Sequence, residues 1–280
     1  MKTPILALAF GALVAGSALA KAPVKPDDAK FQAKLDAALA GEHRSDAHKA
    51  RDKYRHPKET LTFFGLKSGQ RVIEIWPGGG WYTEVLAPLM KGDGKLIVAV
   101  QDPSDPSLPK FEVKMVGDYK AMLAAKPELY GEVEQVTFNP PKMVDLGPPN
   151  SADVVLTFRN VHNWVEAKGA AEAFQAFFKV LKPGGVLGVT DHRAAAGKKM
   201  EETFESGYLP EDAVIKLATD AGFELAGKSE INANPKDTKD YPKGVWTLPP
   251  TYTMKDVDRE KYAAIGESDR MTLKFVKPKK

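Results

Sequence analysis

From Gln70 to Thr190 the chain repeats one unit: a short, unbroken apolar run, a turn, then a segment with helical periodicity. The runs are Arg71 to Trp76, Lys95 to Val100, Val133 to Phe138, Asp153 to Phe158 and Val186 to Thr190. A strand with one wet face alternates apolar and polar residues. Strands that stay apolar, as four of these do, are covered on both faces, and that belongs to parallel sheets with crossover helices. Thr83 to Met90 and Val113 to Ala125 read as two such helices. Phe174, Phe177, Phe178 and Leu181 form a stripe with helical spacing on a third, which Lys182-Pro183-Gly184-Gly185 ends in a turn. Pro210 to Ala221 is a further helix, and Phe223 to Ser229 and Met271 to Val276 are late strands. The pattern predicts an α/β fold, a mostly parallel sheet with helices on both faces.

The N-terminus reads as an address. Lys2 precedes the uncharged, small and apolar Ile5 to Leu19, and Ala18-Leu19-Ala20 ends residues 1–20 with a small-residue cleavage pattern. That apolar run is shorter than the ~20 residues a membrane span needs. The expectation is a cleaved signal peptide, no stable membrane anchor, and a mature chain that is periplasmic or secreted. The chain has no cysteine, so it has no lipid-attachment thiol, disulfide or thiolate metal site. Residues 21–56 read as a linker and a helical extension: Phe31, Leu35 and Leu39 lie on one face, Gly41 stops that helix, and Ser45 caps a charged run from Asp46 to His56. Residues 57–280 form the main domain, opened by a helix from Lys58 to Phe64 behind Pro57. Within it, 232–269 is a long insertion rich in Pro, Asp and Lys, which Tyr241, Trp246 and Tyr252 equip to pack as an ordered flap. The net charge is +3, from 40 basic and 37 acidic side chains, which is not the basic footprint of a nucleic-acid binder.

The first unit carries the chemistry-bearing turn, "VIEIWPGGGWYTEVLAP", an apolar strand running into three glycines and then a helix. Glycine lets backbone approach a ligand closely because no Cβ intervenes. This segment resembles the first motif of the class I S-adenosylmethionine-dependent methyltransferases. "LIVAVQDPS" is similar to that family's second strand, "SADVVLTFRNVHNW" to its fourth strand and the segment after it, and "VLKPGGVLGVTDH" to its fifth unit. The resemblance covers about residues 57 to 276. The longer "FFGLKSGQRVIEIWPGGGWYTEVLAP" resembles a group of predicted, signal-bearing bacterial methyltransferases. The resemblance implies a Rossmann-like, seven-stranded sheet with its last strand antiparallel. It implies S-adenosylmethionine as cofactor, and ligands held outside the carboxyl ends of the central strands.

On that resemblance Glu74 orients the turn and the cofactor's amino group. Gly78 and Gly80 align with the second and third glycines, and Trp76 stands where the family has the first. The position next after the second strand, Gln101 or Asp102, would meet the ribose; Asp102 also suits a plain turn before Pro103. Asn139 is a candidate for the adenine edge. "Asn139-Pro140-Pro141" follows the third strand, not the fourth, so it is not the motif of amino-methylating enzymes. Asp153 begins the fourth strand and reads as structural.

After that strand come Arg159, Asn160, His162, Asn163 and Trp164. Methyl transfer needs an aligned acceptor and, for a hydroxyl or acidic carbon, a base. His162, His192 and Arg159 are the catalytic candidates, and the histidines are two of only five. With Asp191 they also have metal-ligand chemistry, but no local ligand spacing supports it, and no metal is expected. Trp76, Trp81, Tyr82 and Trp164 would surround the crevice, where aromatic faces attract a sulfonium. Trp76 is then a cation–π wall or a plug. Arg51, Asp52 and Arg55 in "RDKYRHP" are a solvated face or a lid.

The leading reading is a methyltransferase acting on a small or medium acceptor. The alternative is an exported, non-catalytic binding protein on a degenerate methyltransferase fold, favoured by Trp76 and by the address, since the cofactor is made in the cytoplasm. A third is an envelope protein that binds a partner through 232–269. Acceptor identity and oligomeric state are not encoded in any of these motifs.

Overall fold

The computed structural model describes residues 26–279, so the signal-peptide expectation lies outside the described residues. Four helices lead in: α1 (Pro26–Ala40), α2 (Asp46–Lys49), α3 (Asp52–Arg55) and α4 (Pro57–Phe64). The alternating body follows as β1 (Arg71–Ile75), α5 (Thr83–Met90), β2 (Lys95–Val100), α6 (Lys110–Ala125), α7 (Pro127–Tyr130), β3 (Glu134–Thr137), β4 (Ala152–Phe158), α8 (Val161–Glu166), α9 (Ala170–Val180) and β5 (Leu181–His192). The chain closes with α10 (Met200–Thr203), α11 (Glu211–Asp220), β6 (Glu224–Ser229), α12 (Arg259–Ile265) and β7 (Arg270–Val276).

The seven strands form one sheet in the order β3-β2-β1-β4-β5-β7-β6. β1 to β5 run parallel, and β7 is antiparallel to both β5 and β6. The order reverses between β1 and β4, each side growing outward from that pair. Loops at the carboxyl ends of β1 and β4 diverge there and leave a crevice.

The sheet is covered on both faces, as unbroken apolar strands require. Ile73, Val155, Leu187 and Leu273 face Phe174 and Phe177 of α9. Val72, Val98 and Leu156 face Leu61, Phe64, Val85 and Leu89, and Phe31 and Leu35 of α1 join that side. The N-terminal extension is therefore part of the core layer. Arg44, 1% exposed, locks it with two hydrogen bonds to Asp52 at 2.6 and 2.9 Å.

Three local expectations are corrected. The charged run 46–56 is not one helix: it breaks at Ala50 and Arg51 into α2 and α3, and His56 turns into α4 with φ of 39°. The helix stops at Val180, and the fifth strand, expected from Val186, already begins at Leu181, so Lys182 to Gly185 lie within β5. Leu181 already pairs with Ala152, and a register shift between Ala152 and Val154 absorbs the turn residues inside β5. The segment after β4 is a short helix, α8, where a loop is expected. Asp153 is a structural tie, its carboxylate accepting from the Arg71 backbone N–H at 2.8 Å and from Lys182 Nζ at 2.6 Å.

Residues 232–269 are ordered by buried polar ties. Asn232 Nδ2 donates to Thr60 and Thr272 hydroxyls at 3.0 and 2.9 Å. Asp237 accepts from Tyr208 Oη and from the Asp269 N–H. Among the described residues no helix is long and apolar enough to cross a membrane.

Candidate functional site

The carboxyl ends of β1, β2, β4 and β5 open into one cleft of about 610 Å³, within the range of small-ligand sites. Its walls are the turn after β1, the segment from Gln101 into α6, the segment after β4, the N-terminal extension through His48, Arg51 and Arg55, and the 232–269 insertion, whose Val245, Trp246, Pro249 and Thr251 reach it.

The turn after β1 is tight and left-handed at several points. Trp76, Gly78 and Gly80 have φ of 47°, 59° and 83°. Gly78 and Gly79 line the cleft, and Gly79 faces open space. Gly80 does not line it. A Cβ there would lie 2.7 Å from Met122 Cε, so this glycine admits α6 packing. Glu74, 1% exposed, borders the cleft and accepts a 2.6 Å hydrogen bond from Thr83 Oγ1. Burial outweighs that bond and raises its carboxyl to about 7.

Trp76 lines the cleft without filling it. Its Nε1 donates to the Phe138 carbonyl at 2.8 Å, and its ring meets Trp164 edge-on at 5.6 Å. Trp164 itself is fully buried and is core. Tyr82 stacks on Phe158 at 3.5 Å, while Trp81 donates to the His48 carbonyl; both border the cleft.

Gln101 follows β2 and points into the cleft, donating through Nε2 to Glu112 Oε2 at 2.5 Å. Burial raises the Glu112 carboxyl above its ordinary range. Asp102 is turned away: its carboxylate accepts from Ser104 N–H and Oγ in a local turn. Asn139 is tied to Asp105 at 3.2 Å and to the Asp102 N–H, also outside the cleft lining. The structure thus brings Gln101 to the site and leaves Asp102 and Asn139 beside it.

The segment after β4 is fixed from below. Arg159 takes φ of 64°, which redirects the chain into α8. Asn160 Nδ2 donates to the Ile75 carbonyl at 2.8 Å, bracing the β1 turn against β4. Asp191, fully buried at the end of β5, accepts three donors: Val161 N–H at 2.7 Å on one oxygen, and His192 N–H at 2.7 Å and His162 Nδ1 at 3.0 Å on the other. Donation from Nδ1 leaves the lone pair of His162 on Nε2. His192 lies 5.3 Å from the His162 ring, with Nδ1 2.6 Å from Ser268 Oγ. Burial first, then His162, holds the His192 imidazole well below its ordinary pKa, so it is neutral. Ligand-capable atoms of His162, Asp191 and His192 lie within 4.8 Å of one another. Both Asp191 oxygens already serve three donors, and the arrangement is a carboxylate-held imidazole.

No protein-family profile and no curated protein sequence matches the chain. Solved structures do match. An S-adenosylmethionine-dependent methyltransferase from Aquifex aeolicus superposes with TM-score 0.53 and 18% identity over 88% of this chain and 98% of its own. The N-methyltransferase NodS from Bradyrhizobium japonicum WM9 gives 0.51 and 13%, over 84% and 99%. The [4+2]-cyclase SpnF gives 0.54 and 17%, over 86% of each chain.

The chain has the class I methyltransferase fold.

Within the methyltransferase fold several cleft residues escape motif reading. Glu112 lies in the first turn of α6, eleven residues beyond Gln101, in no motif. Glu267 and Ser268 end the insertion just before β7. Arg51 and Arg55 carry a signal, since charge within "RDKYRHP" is dense, and both line the cleft.

Proposed function

We propose that this protein is an S-adenosylmethionine-dependent methyltransferase for a small-molecule acceptor, with His162 as the base that takes the acceptor's proton. The carrying observation is the hydrogen bond between His162, which lines the cleft, and the buried Asp191 behind it. It fixes the tautomer with a basic Nε2 and stabilises the imidazolium that proton uptake creates.

The cleft's donor set suits the cofactor. Gly78 and Gly79 give a turn free of side chains, Glu74 gives a buried carboxyl for an ammonium, and Gln101 with Glu112 gives acceptors for ribose hydroxyls. When bound, the cofactor supplies an electrophilic methyl group on a sulfonium. Trp76 and Tyr82 offer aromatic faces compatible with that charge. Arg159 lines the acceptor end, as do His162 and His192. Export remains part of this reading, on the strength of residues 1–20.

The competing second reading is an exported, non-catalytic binding protein that keeps the fold and holds another nucleoside or aromatic ligand; the cyclase SpnF shows only that the fold by itself does not fix a reaction. Calorimetric titration with S-adenosylmethionine and S-adenosylhomocysteine decides between them. Micromolar binding of both, weakened in Glu112→Ala, upholds the methyltransferase. Absence of binding to millimolar concentration overturns it in favour of the second reading.

A further inference from the structure

The acceptor end of the cleft holds more positive charge than the protein neutralises. Four guanidinium groups, of Arg51, Arg55, Arg159 and Arg270, surround one carboxylate, Glu267. Arg51 Nε donates to its Oε1 at 2.7 Å, and Arg55 Nε and Arg270 Nη1 donate to its Oε2 at 3.0 and 3.1 Å. The Glu267 carboxyl is desolvated, yet Arg55, Arg270, Arg51 and Arg159 hold it down at about 2. Arg159 makes no side-chain hydrogen bond or ion pair with the described residues, and burial lowers its guanidinium to about 10.

Buried guanidinium N–H groups normally find acceptors. Here Arg51 Nη2 and Arg55 Nη2 are buried with none. Arg55 is 2% exposed, and its guanidinium lies over the Trp81 ring at 4.6 Å. Its free edge is thus held in one orientation by Glu267 and Trp81 together. Arg51, Arg55 and Arg159 all line the cleft. One more oxyanion would satisfy the orphaned donors and offset the surplus charge.

Position says which ligand brings it. Glu267 is next to Ser268, which contacts His192 on the β5–β7 side of the sheet. The Gln101–Glu112 pair lies at the β2 end, across β4 and β1, while Arg55, over Trp81, stands where the glycine turn enters α5, between the two sides.

We propose that Arg51, Arg55 and Arg159 form an oxyanion subsite, and that the acceptor is a small molecule bearing a carboxylate or phosphate beside the atom to be methylated. This rests on the methyltransferase reading for the word acceptor, but the anion site does not. The subsite anchors the acceptor's anionic end, while His162 faces its reacting end.

The test uses the full chain and two probes, benzoate and inorganic phosphate, titrated with and without saturating S-adenosylhomocysteine. At least one probe binds in both conditions, and the stronger one identifies the anion as carboxylate or phosphate. Arg159→Met, which breaks no ion pair, weakens that probe about tenfold or more. It leaves S-adenosylhomocysteine affinity within about twofold. Arg55→Lys keeps the charge but not the fork, and weakens the probe while the fold persists by circular dichroism. If neither probe binds wild type, the subsite is refuted. If the arginine variants instead lose S-adenosylhomocysteine, the arginines serve the cofactor's own carboxylate and the acceptor assignment falls. If S-adenosylhomocysteine never binds but the probe does and is lost in Arg159→Met, the methyltransferase reading fails and the anion site stands.

Discussion

His162 and Asp191 are joined by a 3.0 Å hydrogen bond from Nδ1 to Oδ1, and both are buried, one at the start of α8 and the other near the end of β5. The same carboxylate holds the backbone of Val161 and of His192. One side chain therefore positions the start of α8, the end of β5 and the imidazole between them. An asparagine at 191 would have one acceptor oxygen for three donors. Asp191→Asn is expected to swap the His162 tautomer, so that its ¹⁵N spectrum shows Nε2 protonated in the variant and Nδ1 protonated in wild type. Once an acceptor is known, turnover should fall by roughly 10²–10⁴, the usual worth of a positioned base, while S-adenosylhomocysteine affinity changes little. An unchanged tautomer would remove the dyad from the mechanism.

Glu74 gives a pH signature. Its carboxyl titrates at about 7 in the folded chain because it is buried, against about 4.3 unfolded. Below the unfolded value both states are protonated and nothing is lost. Between about 4.3 and 7 the unfolded state releases its proton first. Rising pH then destabilises the fold, by about 4 kcal/mol in all for this residue. Urea denaturation should show Glu74→Gln losing less stability than wild type across that window. If an ammonium docks against Glu74, ligand binding near pH 6.5 releases a proton, read as a buffer-dependent binding enthalpy. Equal slopes for wild type and Glu74→Gln would mean the group is not titrating there.

The α/β class was legible because apolar runs that do not alternate allow few architectures, whereas the seven strands with an antiparallel last one were implied only by the family resemblance. The position of the cleft, at the carboxyl ends of the central strands, followed from that same resemblance. Individual contacts were less legible. Gln101 and Asp102 are neighbours, and only the local capping of Ser104 decides which one turns outward. Gly78 and Gly80 look alike in sequence, but one faces the cleft and the other faces Met122. The Arg51–Arg55–Glu267 cluster joins residues 212 or more positions apart, and no local pattern encodes such a pairing. The insertion's anchors were visible as aromatics. Its deeper fastening, through Asn232 and Asp237, depends on partners elsewhere in the chain.

Glu267 should be a stability hinge. Glu267→Gln strands Arg51, Arg55 and Arg270 without a counter-charge, a loss of roughly 3–5 kcal/mol for a broken buried pair. Because its carboxyl sits at about 2 in the fold, wild-type stability from this site is complete above the unfolded value near 4.3. It is lost as pH falls through about 2. Thermal melts from pH 7 to 2 should converge for wild type and variant at the acid end. Millimolar phosphate should raise the variant's melting temperature more than wild type's, since the variant has more orphaned donors. Parallel melting curves would place the stabilisation elsewhere.

Gly79 and Gly80 can be separated by what a methyl group would meet. At Gly79 an added Cβ has nothing within 4 Å, so Gly79→Ala should keep folding stability within about 0.5 kcal/mol of wild type. It also projects a methyl into the cleft, and S-adenosylhomocysteine affinity should drop. At Gly80 the methyl would meet Met122 Cε at 2.7 Å and Tyr119 at 3.2 Å on a backbone with φ of 83°. Gly80→Ala should cost about 1–3 kcal/mol by overpacking and strain. Its ligand affinity, corrected for the folded fraction, should stay near wild type. The pair of variants thus tests whether the turn binds or merely bends. Binding loss in Gly79→Ala with a stable fold makes it a ligand cradle. If Gly80→Ala alone disturbs the protein and Gly79→Ala changes nothing, the turn serves packing, and the cofactor assignment loses its backbone support.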